Sequence, residues 1–420
     1  MYQKKSMQEI LLEKLEREKV LSRSEFITLL GSRNKALSGE LFGRAGRLRE
    51  RYYGKDVYIR GLIEFTNFCK NDCYYCGIRA SNGKVRRYRL TPEEILGCCR
   101  KCYDLGYRTF VLQGGEDMGY GPDEIAALVE SVKKAHPDCA VTLSVGEHPR
   151  EVYQRWFDAG AERYLLRHET ADEAHYRSLH PSSCSPENRR RCLFDLKDIG
   201  YQTGCGFMVG SPGQTFEHLA EDLLFIHKLQ PEMVGIGPFI PQRDTPFGDR
   251  RAGSLELTLF LLGVIRVMLP DVLLPATTAL RTIHPRGLEM GMLAGANVCM
   301  PNLTPERVRR QYALYDGKEC GESGTGTENM APEQDEEAEQ REALNDLRRR
   351  MEAAGYQVTV GRGDCGGCLC VDFLIAVAAG AFFCPGMHSN GSGRYRRFCC
   401  GGIAPNLNHV HTGRTINAHS

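Results

Sequence analysis

Apolar positions recur along this chain with two different periods, and the switch between them marks out its regions. Over residues 1–53, Ile10, Leu11, Leu15 and Val20 fall on one stripe between alternating charges, which predicts a helical leader with a break near Gly31 and Ser32. From residue 54, short β-branched runs alternate with longer amphipathic ones. The predicted strands are Val57 to Phe65, Thr109 to Leu112, Ala140 to Ser144, Arg163 to Arg167, Gln202 to Met208, Met233 to Gly237, Val272 to Thr277 and Ala296 to Met300. Helices are predicted at Pro92 to Leu105, Pro122 to His136, Pro149 to Ala159, Ser185 to Ile199, Thr215 to Leu229, Leu255 to Met268, Arg286 to Ala294 and Pro305 to Tyr315. Strands alternating with helices imply a parallel sheet with crossovers, and eight of each is the number that closes a (β/α)8 TIM-type barrel.

The pattern then breaks. Residues 1–53 are the leader, 54–316 the barrel, and 317–364 an acidic linker followed by a helix near Glu339 to Ala354 and a short strand, Gln357 to Val360. Residues 365–420 form a Cys/Gly-rich tail with no sustained period, expected to be disordered.

A net charge of +1 over 420 residues supplies no field for nucleic acid or an anionic membrane, and neither is expected as a partner. The apolar run from Phe373 to Phe383 is too short to span a bilayer. The first twenty residues lack the apolar core of a signal peptide, and their glutamates count against organellar targeting. Eighteen cysteines in so long a chain then point to metal binding and reduced thiols, in a reducing, anaerobic cytoplasm.

Three of those cysteines, Cys69, Cys73 and Cys76, stand in FTNFCKNDCYYCGIR on the loop after the first strand. A structural zinc site asks for four ligands, whereas a [4Fe-4S] cluster held by three thiolates keeps one iron open. The ends of the later strands carry further candidates. Gln113, Gly114, Gly115 and Glu116 follow the second, and Thr142 and Ser144 share parity on the third. Arg167 and Glu169 share parity at the fourth, which sends a basic and an acidic group to one side and His168 to the other. Arg189 opens a run with Arg190 and Arg191, Gly210 and Gly213 shape the loop after the fifth strand, and Thr277 and Thr278 end the seventh.

The motif and its setting resemble those of the radical S-adenosylmethionine (SAM) enzymes. The segments LLRHETA, MVGIGPFIPQRDTPF, LPATTAL, GANVCMPNLTP and YALYDGK further resemble the HydE family of [FeFe]-hydrogenase maturases, over about residues 55–320. The resemblance implies that Cys69, Cys73 and Cys76 bind a [4Fe-4S] cluster whose open iron chelates SAM. It assigns Gly114, Gly115 and Glu116 to the SAM amino group, Glu169 to a ribose hydroxyl and Arg189 to the carboxylate. Tyr75, Gln113 and Ser144 complete the cofactor set. Thr142, Arg167, Thr277, Thr278, Tyr312 and Tyr315 are assigned to substrate. Some members hold a second cluster after the barrel, beginning at the position of Cys320, but the following GESGTGTEN supplies no further cysteine for an obligatory one.

The implied activity is reductive SAM cleavage, with the resulting radical acting on a cysteine-ligated iron carbonyl cyanide precursor during H-cluster assembly. The implied partners are an organometallic small molecule, other hydrogenase maturases and an electron donor such as ferredoxin or flavodoxin. Methylornithine synthase stays open as an alternative. Biotin synthase would need more cysteines on the barrel strands, where Cys205 stands alone. A non-catalytic iron-sulfur scaffold would need the cluster but not Glu116, Glu169 and Arg189.

Overall fold

The computed structural model describes residues 5–318 and 333–366, with residues 389–390 and 394–395. The leader forms α1 (Met7–Glu18), α2 (Arg23–Gly31) and α3 (Lys35–Tyr53). Ser6 and Ser22 close capping boxes with Glu9 and Glu25, and Asn34 caps α3, so each start satisfies amides that would otherwise lack acceptors. Of the predicted stripe, Leu11 and Leu15 are buried with Leu12 beside them, while Ile10 faces solvent and Val20 lies beyond the end of α1. A second break, at the left-handed cap Lys19, also separates α1 from α2.

The predicted first strand is two, β1 (Asp56–Ile59) and β2 (Gly61–Thr66), interrupted at Arg60. Then follow α4 (Pro92–Asp104), β3 (Thr109–Gly114), α5 (Pro122–Ala135), β4 (Ala140–Ser144), α6 (Arg150–Asp158), β5 (Arg163–Leu165), α7 (Glu173–Leu179) and α8 (Pro186–Ile199). The second half runs β6 (Gln202–Cys205), β7 (Met208–Val209), α9 (Phe216–Leu229), β8 (Met233–Val234), β9 (Gly237–Pro238), α10 (Leu255–Met268), α11 (Thr278–Ile283), α12 (Gly287–Leu293), β10 (Val298–Cys299) and α13 (Glu306–Arg309). Two of these helices, α7 and α11, fall in segments read from sequence as loop and strand end. Both are too short to show a period.

Six strands pair in parallel in the order β2-β3-β4-β5-β6-β8. Single bridges carry the ring onward, Met233 to Leu273, Pro275 to Val298, and Leu62 to Asn302. The amides of Tyr58, Arg60 and Leu62 donate to the Asn297, Cys299 and Pro301 carbonyls at 3.0, 2.9 and 3.0 Å, which closes the barrel. The predicted seventh strand, Val272 to Thr277, is reduced to two bridges because Pro275 has no N–H to give to a ladder. The fifth and sixth split where they cross: a side chain at Gly206, φ 157°, would overlap the Gly235 carbonyl. Outside the ring, α3 packs on α10, and α2 on α9. Gly263 of α10 lets α3 approach, since a Cβ there would stand 3.0 Å from Leu41.

At the amino ends of the strands the barrel is closed by the segment that follows α14 (Glu333–Ala353) and β11 (Gln357–Thr359). β11 pairs in parallel with β1. Buried Arg163 then donates to the Arg362 and Gly363 carbonyls at 2.9 and 3.1 Å and to Asp364 at 2.7 Å. Its other terminal nitrogen donates to Thr109 at 3.0 Å. This floor belongs to a compact unit spanning Met1–Cys368. The first two residues of the expected tail, Cys365 and Gly366, belong to this floor, where Cys365 Sγ donates to the Asp271 carbonyl at 3.0 Å. Within a separate unit, Leu369–Ser420, Ser389–Asn390 pairs antiparallel with Arg394–Tyr395, and the remaining tail residues lie outside the described residues.

Candidate active site

The loop from Asn67 to Leu90 leaves β2 at the carboxyl end of the barrel and carries the cysteines. It is built around Arg87, which donates to the carbonyls of Asn67, Ile78 and Arg79 at 2.5, 2.8 and 2.6 Å. The Tyr74 amide donates to the Leu179 carbonyl at 3.0 Å, so the loop rests on the end of α7. The Lys70 amide donates to the Glu116 carbonyl at 2.9 Å, which ties it to the end of β3. The glycines of QGGED make that tie possible. A Cβ at Gly115 would overlap the Phe68 carbonyl and stand 2.7 Å from Cys69 Cβ.

Cys69, Cys73 and Cys76 are half-buried free thiols on this loop. Burial pushes Cys69 up, and pushes Cys76 up to about 12. The neighbouring Cys184 thiol, followed by burial, raises Cys73. Such thiols become thiolates when a bound metal supplies the compensating positive charge. Among the described residues no three His, Cys, Asp or Glu side chains converge tightly enough for one metal ion. A four-iron cluster asks instead for one thiolate per iron, and three free thiols within eight residues on one tethered loop fit that demand.

Tyr75, between the last two cysteines, donates its hydroxyl to His180 Nε2 at 3.0 Å. His180 is held neutral, its pKa pushed by burial to about 4, and its Nδ1 donates to the Tyr176 carbonyl at 2.8 Å. Tyr176 and His180 stack with centroids 4.0 Å apart. Neither was singled out from the sequence. α7, which carries Tyr176, is one of the two helices too short for periodicity to reveal.

A chain of alternating charge crosses the mouth. Lys70 lies 3.2 Å from Glu116, whose other oxygen accepts the Glu147 amide at 3.1 Å. Glu147 pairs with Arg189 at 2.6 Å, Arg189 donates to the Arg167 carbonyl at 3.2 Å, and Arg167 pairs with Glu169 at 3.1 Å. Of the arginine run, Arg189 is buried, while Arg190 pairs with Glu173 and Arg191 with Asp195 on the surface. Glu147 was missed, although the Gly-Glu pair after β4 repeats the pattern after β3.

Arg167 and Glu169 do meet, but not by strand parity. β5 ends at Leu165, and Glu169 adopts a left-handed backbone, φ 64°. For a residue other than glycine that conformation costs about 1–3 kcal/mol and persists only where its surroundings impose it.

The hydroxyls of Thr142, on β4, and Thr277, just before α11, are buried with no partner among the described residues. A buried hydroxyl without a partner is costly, which makes both suited to an incoming polar group. Thr277 caps α11 and Thr278 is its first residue, so the pair does not end a strand as predicted. Tyr312 is buried, its hydroxyl 3.5 Å from Gln113 Nε2, and Tyr315 and Ser144 are half-buried. Lys318 folds back to bond Glu64, and its ammonium also reaches the Tyr312 carbonyl at 3.0 Å. Cys320 lies outside the described residues.

Residues 63–226 match the family model of the radical SAM superfamily. The chain is 48% identical over 310 residues to the [FeFe] hydrogenase maturase subunit HydE of Thermotoga maritima, covering 74% of this chain and 88% of that protein. It is 30% identical over 298 residues to 3-methylornithine synthase of Methanosarcina barkeri, covering 70% and 83%. The crystal structure of a methylornithine synthase superposes with a TM-score of 0.70 at 26% identity, over 83% of this chain and 97% of that one.

Proposed function

This chain belongs to the HydE family of [FeFe]-hydrogenase maturases within the radical SAM superfamily, and from that membership we propose how its mouth is used. Cys69, Cys73 and Cys76 hold three irons of a [4Fe-4S] cluster, one thiolate to each. When bound, the cluster and SAM supply reductive cleavage of SAM to methionine and a 5′-deoxyadenosyl radical.

The protein's own residues bind and orient. Glu116, buried and fixed by Lys70 and the Glu147 amide, receives the SAM ammonium beside the Gly114 and Gly115 backbone. Arg189 meets the carboxylate with a planar fork of donors. Glu169 accepts from the ribose, and Tyr75, held by His180, lies with Gln113 and Ser144 along the cofactor. Arg167, Thr142, Thr277, Thr278, Tyr312 and Tyr315 face the substrate, a cysteine-ligated iron carbonyl cyanide species. The barrel keeps water from the radical while the substrate is positioned.

Other maturases and a ferredoxin- or flavodoxin-type donor are the partners of this reading, in the cytoplasm. No helix among the described residues is long and apolar enough to cross a membrane. The observation that carries the reading is 48% identity across 88% of a HydE maturase, against 30% to a methylornithine synthase. The test is to reconstitute the full chain with iron and sulfide, reduce it, add SAM and quantify 5′-deoxyadenosine. Formation is expected, and its absence in a fully loaded protein overturns the proposal.

A further inference from the structure

Three non-glycine residues among those described have positive φ, namely Lys19, Glu169 and Gln230. Lys19 and Gln230 are the left-handed caps that end α1 and α9, a common use of that conformation. Glu169 ends no helix. What holds it is a set of buried contacts behind the barrel wall.

The Glu169 amide donates to the Gly206 carbonyl at 3.0 Å, and the Ala171 amide donates to Asp222 Oδ1 at 2.6 Å. His168 sits between these anchors. Its Nδ1 accepts the Gly206 amide at 3.3 Å, which leaves the ring proton on Nε2, 3.4 Å from Asp222 Oδ1. Gly206 therefore grips Glu169 with its carbonyl and His168 with its amide. His168 is 1% exposed and Asp222 0%, so neither reaches a ligand in the lumen. Asp222 occupies the apolar face of α9, between Leu219 and Ile226, where a leucine would be the default. A carboxylate there is costly unless it is paired and hydrogen-bonded, and the contacts that offset the cost are those to Ala171 and His168.

We propose that the buried His168–Asp222 pair is a positioning device that holds Glu169 in its left-handed conformation and thereby sets the affinity for SAM without touching it. This rests on the reading that Glu169 meets the ribose. Without Asp222 the Ala171 amide loses its acceptor and the His168 ring loses the carboxylate 3.4 Å from its Nε2. The backbone at Glu169 then relaxes to negative φ, and its carboxylate turns away from Arg167 and the mouth.

The test measures SAM binding to the reconstituted full chain by calorimetry for the wild type, Glu169→Gln, Asp222→Ala, Asp222→Asn and the double variant Glu169→Gln with Asp222→Ala. Iron content is measured alongside. Asp222→Ala should weaken SAM binding about tenfold with iron content kept, within the coupling range of residues in contact. Asp222→Asn keeps an acceptor for Ala171 and should recover most of the loss. The double variant should bind no more weakly than Glu169→Gln alone. If Asp222→Ala does not fold, His168→Phe, which removes both ring nitrogens at similar volume, carries the same expectations. Loss in Glu169→Gln with wild-type binding in Asp222→Ala, or effects of the two that simply multiply, overturns the inference alone. Wild-type affinity in Glu169→Gln overturns the ribose reading and the inference with it.

Discussion

The floor and the mouth of the barrel use the same kinds of side chain in different ways. At the floor, Arg49 donates to the Ala296, Gly54 and Asp56 carbonyls at 2.9, 2.8 and 2.7 Å. Arg266 donates to those of Gly295, Pro270 and Val272 at 2.8, 2.9 and 2.7 Å, and Arg163 binds the segment that closes the barrel. At the mouth, Arg167 and Arg189 meet carboxylates, Glu169 is strained, and the Thr142 and Thr277 hydroxyls find no partner among the described residues. Guanidinia matched to backbone carbonyls fix the fold. Charged pairs and unpartnered hydroxyls are suited to a ligand, and in TIM-type barrels the two roles separate toward opposite ends.

The sharpest break in that comparison is Cys73→Ala, which should abolish both cluster binding and SAM cleavage while the barrel still folds, read from iron content, 5′-deoxyadenosine and circular dichroism. Cleavage at the wild-type rate would place the cluster elsewhere. At the other end, a chain ending at Gly355 loses β11 and the Asp364 partner of Arg163. An uncompensated buried charge costs about 3–5 kcal/mol, so that chain should unfold at much lower denaturant. One ending at Gly366 keeps these contacts and should retain stability and cleavage. Equal stability of the two would show that the floor contacts contribute nothing.

Thr277→Val and Thr142→Val probe the mouth more finely. Among the described residues neither hydroxyl has a partner to lose on substitution, so thermal stability should hold or rise slightly. An unpaired substrate group should cost about 1–3 kcal/mol in substrate-dependent activity, with SAM affinity unchanged. A fall in SAM affinity would move these hydroxyls from substrate to cofactor.

The smallest effect concerns His180, whose folded pKa of about 4 lies below the ordinary 6.5 because of burial. Between those values the unfolded chain binds more protons than the native one. Its contribution to stability is therefore full above about pH 6.5 and declines as pH falls toward about 4, by about 1 kcal/mol near pH 5.5. His180→Gln should flatten that decline in melting temperature between pH 7 and 5, and an unchanged slope would assign it to other groups.

How far the sequence disclosed these two ends follows from the range of the forces involved. Helix limits came within a residue or two through most of the barrel because caps such as Thr91 and Ser185 act locally. The broken first strand and the bridged seventh did not, since Arg60 and Pro275 disrupt ladders whose partners are far along the chain. The cysteine loop, Glu116, Arg167, Glu169 and Arg189 were legible as motif. Glu147, Tyr176, His180 and the Asp222 anchor were not, because each matters only through a neighbour that folding brings near. An aspartate on the apolar face of α9 was the one readable sign of that anchor.

The most direct test of the proposed activity is to add the reconstituted protein to apo-[FeFe]-hydrogenase with SAM, reductant and the remaining maturases, omitting any other HydE, and to measure hydrogen evolution. Activation by the wild type and not by Cys73→Ala is the expected result. Contradiction would be a protein that cleaves SAM while leaving the hydrogenase inactive.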